Sequence, residues 1–326
     1  MPRRINVPCS RCQRITGERF DGLCIWCREK VRRDPRLAVP KTTVGTDDSI
    51  AIADTPILSV YDGQMIQLEK PELLQPLPSP KHPNAMVVIA ADKKSQTELA
   101  ISKPSLVRYA ERCGMDYVEL TRLSKSPHPC GHKYAVSHVA PLYERILLVD
   151  CDILIRDHAP SILDATPDDH WGMVDDLSKL KSSPYGENWI IDEWDEQADA
   201  LGLHRVPLTS VWNSGVVVIP CEDIDSYAPP PAPVPNRWCA EQHFHTRSLV
   251  DRQAKVMSLP DCWNLGWPWS DWPAKLPSAY FVHINGCPYR LRLRFMTHLS
   301  DGTSTIPAEL KAEAAKVEWC RWAREV

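Results

Sequence analysis

The chain has 326 residues with a formal net charge of −4, and 43% of its residues are hydrophobic. That length suffices for one large domain or two ordinary ones, and no stretch reaches the roughly 18 uninterrupted apolar residues of a membrane span. The first residues, Met-Pro-Arg-Arg-Ile-Asn, lack the apolar core of a secretion signal, so we expect a cytoplasmic protein whose cysteines are reduced unless they bind metal.

Residues 1–37 are predicted to form a zinc ribbon. Cys9 and Cys12 form one C-x-x-C pair, and Cys24 and Cys27 form a second pair, separated from the first by eleven residues. This spacing can place four thiolates tetrahedrally around Zn²⁺, whereas a redox pair, the alternative, would not need two matched pairs. Because so short a segment cannot bury an adequate apolar core, bound zinc would supply its folding free energy.

The predicted ribbon is basic and the rest of the chain is acidic. Residues 1–37 carry ten Lys and Arg against four Asp and Glu, whereas the remainder carries 28 against 38. Basic side chains near Trp26 suit the backbone and bases of nucleic acids. A solvated basic face or a protein-docking module fits the same composition.

Residues 38–84 are rich in Pro, Ser, Thr and Asp and are predicted to be a linker. A body over 85–300 follows, in which strand and helix patterns alternate, and residues 301–326 are predicted to carry a C-terminal helix. The order is strand Ala85–Ala91, helix from about Lys103 to Gly114, strand Asp116–Leu120, helix 132–144 and then a further strand. Such alternation is typical of an α/β fold with a mainly parallel sheet and helices on both faces.

Two carboxylates, Asp150 and Asp152, stand inside the apolar run 146–155. The run is typical of a buried strand in a parallel sheet, where a charge costs several kcal/mol unless it is paired or bound to metal. We therefore expect the carboxylates at the carboxyl end of the strand, where open α/β sheets bind ligands and where Mg²⁺ or Mn²⁺ could bind them. A surface turn is the alternative for a D-x-D pair.

Three further signals follow along the chain. Asn213 lies in a turn that leads into an apolar strand, Glu241 and Gln242 lie near the start of a predicted helix, and His283 ends a predicted strand. Each has a structural alternative: a turn asparagine, an ordinary helix N-terminus and a satisfied core histidine. The four tryptophans of the aromatic-rich segment could form core or stack on a sugar or base; they are Trp263, Trp267, Trp269 and Trp272.

In this order the motifs resemble those of GT-A fold glycosyltransferases of the glycogenin-like group, which also contains bacterial galactosyl- and glucosyltransferases. The resemblance covers roughly residues 85–295 and does not reach the ribbon or the linker. The matching motifs are a strand ending in Ala-Asp at Asp92, a basic residue at Lys133, Asp150-Cys-Asp152, Asn213-Ser-Gly215, Glu241-Gln242, and His283-Ile-Asn-Gly286 followed by Arg290.

The resemblance implies that Asp150, Asp152 and His283 ligate Mn²⁺ or Mg²⁺, which bridges the diphosphate of a nucleotide sugar, with UDP as the expected nucleotide. Since a ligating histidine must be neutral, activity is expected to fall in acid. The remaining implied contacts are Lys133 and Arg290 to the diphosphate, Asp92 to the base or ribose, Asn213, Glu241 and Gln242 near the anomeric carbon, and Asp175 or Asp176 to sugar hydroxyls.

Two positions depart from the pattern of the family. Glu241 replaces the usual aspartate, and Tyr289 occupies the position of the usual lysine, so the phosphate contact falls to Arg290, to Arg292 or to neither.

The sequence thus predicts a metal-dependent glycosyltransferase, of a group that typically retains anomeric configuration, with an appended zinc ribbon. The basic ribbon suggests DNA as the acceptor, for example a hydroxymethylated base as in phage-type DNA modification, which would have to be flipped out of the helix. A glycan or protein acceptor is the alternative, as is a non-catalytic binding protein that recruits partners through the ribbon.

Overall fold

A computed structural model describes the backbone of Asn6–Pro8 and Ile15–Gly17, and residues 63–181, 188–237, 239–267 and 271–317. The chain divides into two compact units, Met1–Gln64 and Met65–Val326. In the first unit, β1 (Asn6–Pro8) pairs antiparallel with β2 (Ile15–Gly17). The predicted zinc ligands lie outside the described residues, so the ribbon stays a prediction; they are Cys9, Cys12, Cys24 and Cys27.

The larger unit combines strands with helices. Its strands are β3 (Met65–Ile66), β4 (Asn84–Ile89), β5 (Asp116–Leu120), β6 (Arg145–Val149), β7 (Ile153–Ile155), β8 (Trp171–Val174), β9 (Val216–Pro220), β10 (Val234–Pro235), β11 (Val256–Leu259), β12 (Leu265–Gly266) and β13 (Phe281–His283). Its α-helices are α1 (Lys93–Arg112), α2 (Leu177–Lys181), α3 (Asn188–Ala200), α4 (Ala240–Asp251), α5 (Trp272–Lys275), α6 (Tyr289–Leu299) and α7 (Ala308–Ala314). Short 3₁₀ helices cover Pro129–His138, Ala140–Leu142, Cys221–Tyr227, Asp261–Trp263 and Leu276–Ser278.

Six of these strands form one sheet in the order β11-β8-β9-β6-β4-β5. Strand β4 pairs parallel with β5 and β6, and β11 pairs parallel with β8, whereas β9 runs antiparallel to both of its neighbours. The sheet is therefore mixed, with β9 alone reversed. The predicted α/β fold class is confirmed.

Side chains of the central strands alternate between two apolar layers, as the period of two requires. In β4, Met86 and Val88 pack with Leu106 of α1, whereas Ala85 and Val87 point to the opposite layer. That opposite layer is covered by the 3₁₀ helix at Pro129–His138 and by α4. Helices thus cover both faces of the sheet. Asp150 and Asp152 follow the carboxyl end of β6.

The apolar run 146–155 is not one strand, which corrects the prediction. It divides at the D-x-D turn: Arg145–Val149 lies in the main sheet, and Ile153–Ile155 pairs antiparallel with Phe281–His283 in a second, three-stranded sheet. Two buried carboxylates could not stay inside a central strand without partners, so the chain turns where they occur.

Two predicted helices also differ. Helix α1 begins at Lys93 rather than near Lys103, because Asp92 caps it through a reciprocal pair of hydrogen bonds with Ser95. The predicted helix over 132–144 is a pair of 3₁₀ segments instead, and Pro141, which has no amide proton to donate, lies in the second of them.

Part of the predicted linker packs on the larger unit. Strand β3 pairs with β10, Leu68 is fully buried, and the side chain of Gln75 bonds the backbone of Glu119 and Thr121. Towards the C-terminus, the described part of the predicted C-terminal helix is α7, which ends at Ala314. None of the helices in the described part of the chain combines the length and hydropathy that crossing a membrane requires.

Candidate active site

The candidate site is built where β6 ends. Val149 is the last residue of the strand, and Asp150 and Asp152 lie in the turn that follows. The amide of Asp150 donates to the carbonyl of Gly215 at 2.9 Å, which fixes the turn against the segment entering β9. Asp152 is buried and Asp150 is half-buried.

His283 reaches these carboxylates because β13 pairs with β7. The register places His283 opposite Ile153, and the amide of Ile284 donates to the carbonyl of Asp152 at 3.0 Å. The Nε2 atom of His283 lies 3.2 Å from Asp152 Oδ1 and 3.8 Å from Asp150 Oδ2. The three ligand atoms of this group all lie within 4.8 Å of one another.

A chain of hydrogen bonds fixes the tautomer of His283. The backbone amide of Gly215 donates to the side chain of Asn213 at 2.8 Å, which identifies the accepting atom as Oδ1. The same oxygen accepts a hydrogen bond from the side-chain nitrogen of Asn264 at 2.7 Å. The other end of the Asn264 amide is then its oxygen, which lies 2.9 Å from His283 Nδ1. Nδ1 must therefore carry a proton, because an oxygen can only accept.

The tautomer leaves Nε2 of His283 facing two carboxylates. Without a proton, Nε2 offers a lone pair towards Asp152 and Asp150, whose oxygens are also acceptors. A cation bound between these three groups would satisfy all three acceptors. Metal-ligating histidines are commonly oriented in this way, by an oxygen that accepts from the other ring nitrogen, here that of Asn264.

Lys133 supplies a fixed positive charge beside Asp150. Its Nζ lies 2.9 Å from the Asp150 carboxylate and donates to the hydroxyl of Ser214 at 3.0 Å and to its carbonyl at 3.1 Å. Burial opposes the charge, but the carboxylates of Asp150 and Glu241 outweigh it and raise the pKa of Lys133. The ammonium is therefore charged at neutral pH.

Arg292 of α6 lies in the candidate site, whereas Arg290 on the same helix is exposed. Its guanidinium lies 2.8 Å from Asp152 Oδ2 and 3.0 Å from the buried carboxylate of Glu98 on α1. Burial opposes ionisation of Asp152, yet Arg292 and His283 hold the pKa of its carboxyl below the usual range. Burial raises the pKa of Glu98 to about 7, against the charge of Arg292.

Glu241 and Gln242 open α4 but differ in their surroundings. Both oxygens of the buried Glu241 are bonded, one to the Ser214 hydroxyl at 2.6 Å and the other to the Tyr227 hydroxyl at 2.9 Å. Glu241 thereby orients Ser214 next to Lys133. Gln242 is half-exposed, and its side chain has no hydrogen bond to any residue that the structure describes, so its amide is available to a ligand.

The two aspartates that are predicted to bind sugar hydroxyls have different hydrogen-bond partners in the structure. Buried Asp176 accepts the amide nitrogen of Asn213 at 2.6 Å and the ammonium of Lys179 at 3.0 Å. Asp175 instead accepts the backbone amides of Leu177 and Val211, each at 2.9 Å. Both ends of the Asn213 amide are therefore used by protein groups, which makes Asn213 a positioning residue.

Asp92 and the buried tryptophans, also predicted as possible ligand contacts, have structural roles. Asp92, at the carboxyl end of β4, is the exposed N-cap of α1. Trp263, Trp267 and Trp272 are buried and pack with Tyr280, Phe281 and Phe295, so they form core, whereas Trp269 lies outside the described residues.

The donor set of Asp150, Asp152 and His283 fits a divalent ion. Carboxylates suit Mg²⁺ and Mn²⁺, and an imidazole nitrogen shifts the preference towards Mn²⁺ and later transition metals. Arg292 occupies Oδ2 of Asp152, so Oδ1, which lies 3.2 Å from Nε2 of His283, is the oxygen left for an ion.

Sequence reasoning missed several residues of this network. Asn264 lies in the aromatic-rich segment, whose sequence pattern comes from its tryptophans. Ser214 lies inside the Asn213-Ser-Gly215 motif, which predicts no separate role for the serine. Glu98 and Tyr227 have no local signal, since their partners are distant in sequence.

Comparison with known proteins finds similar chains among solved structures. No model of a protein family matches the chain, and no curated protein matches it. The structure is similar to a glycosyltransferase involved in glycosylation of the major capsid of PBCV-1, with a TM-score of 0.46 and 13% identity over 66% of this chain and 98% of that chain. It is also similar to the bifunctional glycosyltransferase WbbM (TM-score 0.40, 13% identity, 66% of this chain and 48% of that chain) and to mouse xyloside xylosyltransferase 1 (TM-score 0.35, 11% identity, 62% and 98%).

Proposed function

We propose that this chain is a divalent-metal-dependent glycosyltransferase that moves a sugar from a nucleotide sugar, with UDP as the expected nucleotide, to a hydroxyl acceptor. The observation that carries the proposal is the convergence of Asp150, Asp152 and His283 on one point, with the tautomer of His283 set by Asn264. The motif order of the sequence supports the same reading.

The charges around this point suit a departing diphosphate. When bound, a divalent ion would supply Lewis-acid stabilisation of the phosphate oxygens. Lys133 adds a preorganised ammonium, and Ser214 and Glu241 hold it in place. Arg292 keeps Asp152 ionised in a buried site, so a ligand stays available at neutral pH.

Gln242 is the side chain best suited to contact the transferred sugar. It is half-exposed at the first turn of α4, next to the bonded Glu241. An amide can both donate to and accept from sugar hydroxyls. We therefore assign Gln242 to the sugar, and Asn213 and Glu241 to positioning.

The test is hydrolysis of UDP-sugars by the full-length chain with and without Mn²⁺. We expect slow metal-dependent release of UDP, and loss of at least about a hundredfold in rate for Asp152→Asn, the size of a lost transition-state contact. Asp169→Asn, whose carboxylate pairs with Lys255 and His170 near the amino end of β8, is the matched control. Binding of UDP and Mn²⁺ without turnover of any nucleotide sugar would instead identify a non-catalytic binding protein.

For the acceptor we propose DNA that carries hydroxymethylated bases. The support is the charge of residues 1–37, ten basic against four acidic side chains, on a chain that is otherwise acidic. Incubation with hydroxymethyl-containing DNA and labelled UDP-sugars should label the DNA. Transfer to a glycan or protein acceptor, with none to DNA, would refute this part of the proposal alone.

A further inference from the structure

A second group of metal-ligand side chains is buried between α3 and α4, apart from the D-x-D group. It consists of Glu193, Cys239 and His243, whose ligand atoms all lie within 4.8 Å of one another. All three residues are buried, and Cys239 belongs to an apolar cluster that includes Leu177 and Trp189.

Local structure explains how the three meet. Cys239 occupies the N-cap position of α4 without a side-chain capping bond, and His243 lies one turn later, so the spacing of four places both on the same side of the helix. The amide of His243 donates to the carbonyl of Cys239 at 2.7 Å. Glu193 comes from α3, and one of its oxygens lies 3.3 Å from the amide of Cys239.

The imidazole of His243 points to a missing ligand. The residue has no exposed surface, and neither ring nitrogen has a hydrogen-bond partner among the residues that the structure describes. Its ring contacts the indole of Trp194 at 5.7 Å, which satisfies no nitrogen. A buried ring nitrogen next to a thiol and a carboxylate is the arrangement that a metal ion would complete.

His245, two residues further on, shows what the cluster adds. It is equally buried, and its ring nitrogens likewise have no partner in the described part of the chain. Its neighbours are aromatic, with the ring centroids of Tyr227 and Trp171 at 4.4 and 5.2 Å, and it belongs to neither metal-ligand group. His243 alone combines the orphaned nitrogens with a thiol and a carboxylate.

We propose that Glu193, Cys239 and His243 bind a zinc ion. Sulfur and imidazole ligands favour zinc over Mg²⁺ and Mn²⁺, and zinc takes all three donor types at about 2.0–2.3 Å. A thiolate and a carboxylate would balance the two charges of the ion, which makes the buried site neutral. A fourth position of the tetrahedron is left for water or another group.

The ion would fix the start of α4 to α3. The first turn of α4 carries Glu241 and Gln242, and Gln197 of α3 already donates to the carbonyl of Ala240 at 2.7 Å. Zinc at Cys239 would strengthen this junction and hold the first turn in position. The site itself requires no glycosyltransferase activity, so it stands or falls independently of the proposed function.

The test is the zinc content of the purified full-length chain, measured by elemental analysis in excess Mg²⁺. Because the predicted ribbon would also hold zinc, the difference between variants is decisive. We expect Cys239→Ser and His243→Asn to contain one zinc ion fewer per chain than the wild type. His245→Asn, as the matched control, should keep the wild-type content. Equal zinc in the wild type and in folded Cys239→Ser would overturn the proposal.

A second measurement covers the case in which these variants fail to fold. Crystals of the wild-type chain, measured at the zinc absorption edge, should show an anomalous peak between Glu193 and His243. Absence of a peak there, in crystals grown with zinc, would overturn the proposal whatever the variants do.

Discussion

The hydrogen bond at Nδ1 of His283 is set by a backbone amide that does not contact the ring. Gly215 N–H orients the amide of Asn213, that amide orients Asn264, and Asn264 accepts from Nδ1. Each step leaves only one arrangement of donors and acceptors. Nε2 is thereby directed at Asp152, and in the proposed metal site the orientation of His283 would depend on residues outside the ligand set.

Replacing Asn264 with alanine should weaken Mn²⁺ binding by about 10–100-fold, because Nδ1 of His283 loses its acceptor and the ring its orientation. Titration calorimetry with Mn²⁺ measures the effect directly. Asn84→Ala is the matched control, since Asn84 lies at the amino end of β4, away from the D-x-D turn. Unchanged Mn²⁺ affinity in a folded Asn264→Ala variant would contradict the role assigned to the relay.

Gly215 is required for steric reasons. A Cβ atom there would lie 2.3 Å from His283 Cε1 and 2.8 Å from Nδ1. We expect Gly215→Ala to displace the imidazole, to abolish most Mn²⁺ affinity and to cost about 1–3 kcal/mol of stability through overpacking. Thermal unfolding and Mn²⁺ titration together measure both effects.

Gly172→Ala separates these two effects. A Cβ there would lie 2.5 Å from the Thr166 hydroxyl oxygen, in β8 and away from the D-x-D group. It should lose similar stability while keeping Mn²⁺ binding. Equal loss of Mn²⁺ affinity in both variants would show that general destabilisation, and not the ring of His283, is responsible.

At the scale of elements, the site is a meeting of two sheets. Strand β6 delivers Asp150 and β13 delivers His283, while α6 delivers Arg292. Local patterns predict the strand Asp116–Leu120 from its own residues and the first turn of α4 from the acidic Glu241, which a helix N-terminus favours. They do not show that the run 146–155 divides between two sheets, because that depends on pairing with Phe281–His283 far along the chain.

Helix α6 contributes through a buried ion pair that joins it to α1. Arg292→Ala would leave the carboxylates of Asp152 and Glu98 buried with no guanidinium between them. We expect a loss of about 3–5 kcal/mol in the free energy of unfolding. Because Mn²⁺ would replace part of the missing charge beside Asp152, it should raise the melting temperature of the variant more than that of the wild type.

Arg294→Ala is the control for this prediction. Arg294 lies on the same helix, is half-exposed and pairs with Glu313 at the surface, where an ion pair contributes at most about 1 kcal/mol. If Arg292→Ala were no more destabilising than Arg294→Ala, the ion pair would not be a structural link between α6 and α1.

For the whole molecule, composition divides the chain more clearly than any single motif. The basic residues 1–37 precede a body whose candidate site places the carboxyl groups of Glu98, Asp150, Asp152 and Glu241 near Lys133 and Arg292. Sequence patterns identify Asp150, Asp152, His283 and Lys133 as candidate site residues, because each belongs to or accompanies a short motif. It could not supply Asn264 or Glu98, because a hydrogen-bond relay is defined by contacts between distant segments and leaves no local pattern.

Deleting residues 1–37 should separate donor chemistry from acceptor binding. The groups proposed for the donor, from Lys133 to Arg292, all lie in the larger unit, so metal-dependent UDP-sugar hydrolysis should keep its rate. Acceptor affinity should fall, because neutralised phosphates release counterions in proportion to the basic contacts made. We therefore expect a higher KM for hydroxymethylated DNA and a shallower dependence of that KM on salt than in the full-length chain.

A charge-neutralised variant makes this last prediction specific to electrostatics. Changing Arg28, Lys30, Arg32 and Arg33 to glutamine keeps the four predicted zinc ligands and removes four of the ten basic side chains. Its KM for DNA should lie between those of the wild type and the deletion, with an intermediate salt slope, since each lost phosphate contact reduces the slope by about 0.9. Equal KM values for all three chains at low salt would mean that residues 1–37 do not recruit the acceptor, and a raised KM with an unchanged salt slope would mean that they recruit it without contacting phosphate.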